Sequence, residues 1–399
     1  MKKIAVITGG LLPLPATKGG AIETLLQYLI DYNENQNELF LDIYSIEEAK
    51  AKEIAKDYKK SKFIYINISN KLNKILNIGF KIIKKLKIKK DPNFQLLYIN
   101  KVCNKLKDEN YDLILIESDN HFVNKISKVT KAPIILYLHN DKLNNKTYNC
   151  KKIYDSCYNI ITVSNYISSR VLTIKGSNDD KVKTIYNGID TNKFNVEDKN
   201  KLKKDMRKKY NLEEDDFIFL FTGRIEKEKG VLELVKAFNL LDNPRKKLMI
   251  LGGSFYSNNK TTKYVREVKN VISNNKDIIV TGYIPSAEIY KYHYMCDVMV
   301  SPSQWEEPGS LVNQETFASG IPLISSYSGG TPEYTKDTKA ILINRGEKFV
   351  LDLSTAMNEL MCNQKKCQEM SESQKKVSKY FSKERYCEDL YNYLYEVSK

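Results

Sequence analysis

Short, almost wholly apolar runs recur along the chain at 4–8, 40–44, 113–117, 134–138 and 160–163, and again at 217–221, 248–251, 278–280 and 298–300. Stretches of helical periodicity separate them. A run that is apolar at consecutive positions fits a strand buried on both faces, which is the condition of a parallel sheet covered by helices on either side. The expected fold class is therefore α/β, with two doubly wound, Rossmann-like series of βα units facing a cleft. At 399 residues the chain can build two such domains, each with its own core. The charged stretch 195–216 reads as a linker and helix between them, so the expected boundaries are 1–194, 195–380 and a final helix at 381–399.

Composition narrows the classes of function. No segment approaches the roughly 18 to 20 uninterrupted apolar residues of a membrane helix. The N-terminus mimics a signal peptide, but Gly9-Gly10, Pro13 and Pro15 interrupt its apolar part, and it reads as a first strand entering a loop. Seven cysteines without a Cys-x-x-Cys pair, and only three histidines, point to reduced thiols in the cytoplasm and away from zinc. The net charge is +15, yet only seven of the 64 basic residues are Arg. No basic helix interleaved with aromatics accompanies that charge, so an anionic membrane or substrate is the expected use and nucleic acid is not.

The segment 301–324 is the most informative for chemistry. It reads Ser-Pro-Ser-Gln-Trp-Glu-Glu-Pro-Gly-Ser-Leu-Val-Asn-Gln-Glu, then Ala318-Ser319-Gly320-Ile321-Pro322-Leu323-Ile324. Ser310 is positioned to cap a helix that starts near Leu311, which puts Glu307 on the loop before the helix and Glu315 one turn inside it. Two glutamates eight apart are ordinarily a solvated helix face. Here they sit between a buried strand at 298–300, a turn, and a second strand at 322–324, in one αβ unit ending Gly329-Gly330-Thr331-Pro332-Glu333. Carboxylates accept hydrogen bonds from hydroxyls, while free N–H groups at a helix start attract phosphate. The combination suits a sugar nucleotide.

This block resembles the Glu-x7-Glu signature of the retaining GT-B glycosyltransferases of family 4. The family usually carries Pro-Phe-Gly after the first Glu, whereas this chain has Pro308-Gly309-Ser310. That departure bears on the shape of the sugar pocket and not on the nucleotide site. The resemblance spans nearly the whole chain. Segments such as Lys18-Gly19-Gly20-Ala21-Ile22 and 303–308 look most like the spore-coat-SA-like branch.

The resemblance implies an N-terminal acceptor domain, a C-terminal nucleotide-sugar domain, and a last helix returning to the first. It further implies that Arg224 and Lys229, in the glycine-bounded loop Thr222-Gly223-Arg224-Ile225-Glu226-Lys227-Glu228-Lys229-Gly230, bind the diphosphate with the N–H groups near Ser310, Leu311 and Val312. Arg is scarce here and its planar fork matches phosphate, so Arg224 also stands out on its own residue chemistry. By the same resemblance Glu315 holds ribose, Glu307 the sugar hydroxyls, and Tyr283 and Ile284 the nucleobase. Gly20 lies between donor phosphates and acceptor, Gly19 and Glu23 are on the acceptor side, and His139 lines the reacting centre.

Competing chemistries find no support: the chain has no Asp-x-Asp pair, no Gly-x-Ser-x-Gly elbow and no Walker loop. The expectation is a UDP-sugar donor, no metal or other cofactor, retention at the anomeric carbon, and a glycan or lipid-linked acceptor. A coat-associated protein that keeps the fold without turnover is the rival. Residues 71–90 hold eight Lys and no acid, with Leu72, Ile75, Leu76, Ile83 and Leu86 near one helical stripe. They fit either a surface helix packed on its own domain or a peripheral contact with an anionic membrane.

Overall fold

The computed structural model describes residues 1–68, 95–253, 262–273 and 275–399. The Lys-rich segment 71–90 lies outside them. The chain forms two compact units, one of Met1–Tyr186 with Tyr386–Lys399, the other of Asn187–Arg385.

The first unit holds seven parallel strands: β1 (Lys2–Ile7), β2 (Leu39–Ile46), β3 (Ser61–Ile66), β4 (Leu113–Glu117), β5 (Ile134–Leu138), β6 (Asn159–Thr162) and β7 (Val182–Thr184). Their order is β3-β2-β1-β4-β5-β6-β7, so the winding reverses between β1 and β4. Every residue of β4 and β5 is buried, which is why both read as unbroken apolar runs. The edge strand β3, by contrast, exposes Lys62 and half-buries its middle, and it gave no clear apolar run. The helix Lys383–Val397 supplies the last segment of this unit. There the Tyr391 hydroxyl donates to Glu38 Oε2 at 2.6 Å, and Asn159 Nδ2 donates to the Tyr393 hydroxyl at 2.6 Å.

The second unit has six parallel strands: β8 (Phe217–Thr222), β9 (Lys246–Leu251), β10 (Ile278–Gly282), β11 (Val298–Ser301), β12 (Leu323–Tyr327) and β13 (Ile341–Asn344). The order β10-β9-β8-β11-β12-β13 reverses between β8 and β11. Its core includes a large cluster with Phe219, Leu234, Phe238, Ile250, Val300 and Met357. In open sheets of this kind the loops at the carboxyl ends of the two strands flanking the reversal form the crevice where ligands bind. In this unit those are the loops following β8 and β11.

The units divide earlier than the sequence suggested, after Tyr186 rather than after 194. Residues from Asn187 onward are bonded into the second unit: Asn187 Nδ2 donates to the Gly309 carbonyl at 3.0 Å, Ile189 N to Phe381 O at 2.8 Å, and Phe194 packs with Tyr294. At the other end the division falls inside the last helix, before Tyr386, rather than at 381. The turn of backbone before it stays with the second unit because Lys383 N donates to Ile189 O at 2.8 Å.

Candidate active site

In the second unit, Gly230 sets the geometry. It caps the helix Val231–Asn239 with φ of 68°, and a Cβ there would collide with the Pro302 carbonyl oxygen. Only glycine lets the loop after β8 lie directly on the loop after β11. Gln304 N donates to Glu228 O at 2.7 Å across the same contact. Two segments some 75 positions apart are thereby locked together, and Lys229 is delivered to Glu307.

Lys229 Nζ lies 2.6 Å from Glu307 Oε1. The same oxygen accepts from Ser303 Oγ at 2.5 Å and from Trp305 Nε1 at 2.8 Å. Lys229 Nζ also sits 5.3 Å from the centre of the Trp305 ring, within cation–π range. Glu307 is 5% exposed. Burial alone would raise its carboxyl, but Lys229, Ser303 and Trp305 outweigh that and hold it below its ordinary value. Glu307 is thus an ionised acceptor at neutral pH, with Oε1 engaged by three donors and Oε2 used by none of these bonds. Its backbone is held too, since Gly330 N donates to Glu307 O at 2.7 Å. Next to it, Glu306 accepts from Gly329 N at 2.6 Å and pairs with Arg345.

Ser310 caps the helix Leu311–Ser319 as the sequence implied, its Oγ accepting from Asn313 N at 3.3 Å. The Leu311 and Val312 N–H groups head the first turn, where a helix provides no internal partner. Glu315 lies in that helix, half-buried, with no side-chain hydrogen-bond partner among the described residues. Burial pushes its carboxyl up to about 7, with Lys193 opposing the shift. Gly309 stands where the family has its aromatic, and the Tyr334 hydroxyl occupies the adjacent space, 2.5 Å from where a Cβ would be.

Arg224 pairs with Glu226 at 2.6 Å. It lines a cavity of about 190 Å³ together with Thr222, Gly223, Gly252, Tyr283 and Ile284. The structure therefore brings Arg224 to the same hollow as Tyr283 and Ile284, and Lys229 to Glu307. The Thr222 hydroxyl is buried without a partner among the described residues. Sequence reasoning assigned nothing to Ser303, Trp305, Glu306 or Arg345. The available signal was Trp305, the only tryptophan in the chain, two residues before Glu307.

In the first unit, Gly19 and Gly20 end the loop after β1 with φ of 72° and 109°. Glu23 lies in the first turn of the helix Ala21–Asn33, 9% exposed, its carboxylate against Gly20. Burial raises its carboxyl; His139 opposes this and Glu117 adds to it. His139 follows β5, and its Nε2 lies 2.9 Å from Oε2 of Glu117 at the end of β4. Glu117 is a further residue that sequence reasoning missed, because it reads as the last position of a buried strand. Among the described residues no group of three or more His, Cys, Asp or Glu could hold a metal ion, and no helix is long and apolar enough to cross a membrane.

Two parallel Rossmann-like sheets, with a capped helix, two basic residues and a buried glutamate gathered in the second, define a sugar-nucleotide-dependent transferase of the GT-B type. Residues 203–377 match the family of glycosyl transferases group 1, and residues 73–193 match glycosyltransferase family 4. The chain belongs to these GT-B glycosyltransferases. It is similar to the putative glycosyltransferase YtcC of Bacillus subtilis, 29% identical over 84% of this chain and 77% of that protein. Spore coat protein SA of Bacillus subtilis is 25% identical over the full length of both. Among solved structures, Anabaena Alr3699/HepE in complex with UDP and glucose superposes with a TM-score of 0.75 at 17% identity, covering 99% of each chain, a likeness of fold.

Proposed function

We propose that this chain transfers a hexose or N-acetylhexosamine from UDP to a glycan or lipid-linked acceptor in cell-surface polysaccharide or glycoconjugate synthesis, with retention at the anomeric carbon. The observation that carries the reading is Glu307, buried, ionised and tied through one oxygen to Lys229, Ser303 and Trp305 at the β8/β11 reversal. Glu307 accepts from the sugar hydroxyls and Glu315 from the ribose, and the base lies against Tyr283 and Ile284. Arg224 and Lys229, with the N–H groups at Ser310, Leu311 and Val312, neutralise charge growing on the leaving diphosphate. For this, both cations must exchange their present carboxylate partners for phosphate oxygens.

Gly20 serves the phosphate side, Gly19 and Glu23 the acceptor side, and His139 the reacting centre. The bond from C1 to the diphosphate breaks, the acceptor oxygen bonds C1 from the same face, and the acceptor proton passes to the departing phosphate oxygen. No protein base and no metal ion is required. A cytoplasmic enzyme working on lipid-linked acceptors would gain from the cationic segment 71–90. Three or four Lys at an anionic leaflet contribute roughly 3 to 4 kcal/mol, enough for reversible docking, and binding to anionic but not neutral vesicles at low salt tests this.

Trp305 touches both Glu307 and Lys229 and is the only tryptophan, so its fluorescence reports the donor site directly. Titration with UDP and UDP-sugars, followed by transfer assays on those that bind, tests the reading; no binding of any nucleoside diphosphate sugar sinks it. The full-length similarity to spore coat protein SA supports a second reading, a coat-associated protein that binds without turnover. Fluorescence response with no transfer or hydrolysis of any bound sugar nucleotide would favour it.

A further inference from the structure

At the carboxyl edge of the first unit's sheet, His139 is paired with a carboxylate, Glu117, to which the reading above gives no role. Glu117 ends β4, the strand that borders β1 at the winding reversal. His139 lies just beyond β5, in which Tyr137 is the register partner of Glu117. Glu117 Oε2 and His139 Nε2 are 2.9 Å apart, with side chains 1% and 7% exposed. The Tyr137 ring centre stands 4.2 Å from that of His139, tilted by 39°. Glu23 and Tyr386 are further ionisable groups here: the Glu23 carboxyl responds to both members of the pair, and burial, with Tyr137 and Glu117, raises the Tyr386 hydroxyl. Glu117 Oε1 is buried and has no partner among the described residues.

Stability does not account for this pair. A buried carboxylate bonded to an imidazole returns little net folding energy, and a buried carboxylate oxygen without a donor is a penalty on top. A side chain serving the core alone would be better apolar at this position. The site is instead one where an open α/β sheet gathers its ligands.

Given the transferase reading above, we propose that Glu117 is the positioning residue of His139. A carboxylate can only accept, so the proton on the ring resides on Nε2 and the tautomer is set. Nδ1, which no described group engages, is then the lone pair that the ring offers to a hydroxyl of the bound sugar or acceptor. Glu117 also restrains the ring plane.

The chain has only three histidines, which makes the pair directly readable. Long-range 1H–15N NMR on the intact labelled protein, with His139→Asn for assignment, reports which nitrogen is protonated without any substrate. The expected result is an Nε2–H tautomer in the wild type and in Glu117→Gln, whose amide oxygen still accepts. Glu117→Ala, which leaves Nε2 without its acceptor, should show mixed tautomers. In transfer assays Glu117→Ala should lose about tenfold or more in kcat with the donor KM held, and Glu117→Gln, whose amide oxygen still accepts, should recover part of that. An Nδ1–H tautomer in the wild type, or the same tautomer in wild type and Glu117→Ala, overturns the proposal. So does unchanged kcat in Glu117→Ala. If Glu117→Ala does not fold, Glu117→Leu, closer in volume and equally without an acceptor, decides: an unchanged Nε2–H tautomer in it overturns the proposal. Were no UDP-sugar transferred by any form while the NMR shifts held, the transferase reading would fall and the positioning of His139 would stand.

Discussion

Lys229 and Glu307 are separated by 78 positions in sequence and by 2.6 Å in space. The two loops that carry them meet because Gly230 leaves no side chain between its backbone and the Pro302 carbonyl. Lys229 is the charge that keeps a nearly fully buried glutamate ionised.

Lys229→Met should therefore damage both folding and activity. It strands the Glu307 carboxylate, which should destabilise the protein by about 2 to 4 kcal/mol, toward the lower end because the Lys229 side chain is itself 24% exposed. Combining it with Glu307→Gln should restore most of the loss in a denaturant melt while transfer stays abolished. If the double variant is no more stable than the single, the pair does not carry the ion balance described.

Arg224→Ala leaves Glu307 and its donors in place and removes one of the two cations proposed for the diphosphate. Its kcat/KM should fall by roughly 10² to 10³, with the melting temperature within a few degrees of wild type. Near-wild-type turnover would remove Arg224 from the donor site.

Glu315 gives the donor site a pH dependence with a defined sign. Its carboxyl is raised to about 7 in the folded chain, so below that pH it is protonated and a poorer acceptor for ribose hydroxyls. UDP-sugars carry no phosphate group titrating near neutrality, so their affinity should strengthen as pH rises from 6 to 8, with proton release on binding. Calorimetry in buffers of different ionisation enthalpy reads that proton. Glu315→Gln should bind more weakly and without pH dependence, and a wild type with flat affinity over this range would contradict the ribose assignment.

His293 makes an opposite contribution to stability. It is fully buried and burial holds its ring down to about 3, against an ordinary value near 6.5. Between those values the unfolded chain binds the proton and the folded chain does not. Stability is therefore complete above pH 6.5 and falls as pH drops, by up to about 1.4 kcal/mol per pH unit from this residue. In Glu315 the folded form holds the extra proton between about 4.5 and 7, which opposes His293 over the upper part of its window. Relative to wild type, His293→Gln should change the slope of stability against pH in urea melts at pH 4 to 6.5 by up to about 1.4 kcal/mol per pH unit, leaving the opposing Glu315 slope, and an unchanged slope would show that the ring is already protonated when folded.

If, as proposed, cations from side chains and a helix start neutralise the phosphates, activity should survive EDTA. Loss on chelation with rescue by Mg²⁺ or Mn²⁺ would contradict it. NMR of the first-formed product should show the donor's anomeric configuration kept.

The local chemistry of this protein was legible in its sequence. Strands buried on both faces must be apolar at consecutive positions, so β4, β5, β8 and β11 announce themselves. Ser310 before Leu311 marks a helix start by the one hydrogen bond a cap makes, and Glu307 and Glu315 fall on either side of it. Edge strands β3 and β13 did not stand out, because half-buried strands share their composition with loops. Tertiary structure alone decided which side chains meet. Parallel strands are joined by crossovers, so neighbours in a sheet are distant in sequence, and no local periodicity encodes that β8 lies beside β11 or β1 beside β4. The convergence of Lys229, Ser303 and Trp305 on one oxygen of Glu307, and the pairing of Glu117 with His139, follow from that strand order and from the contact Gly230 permits.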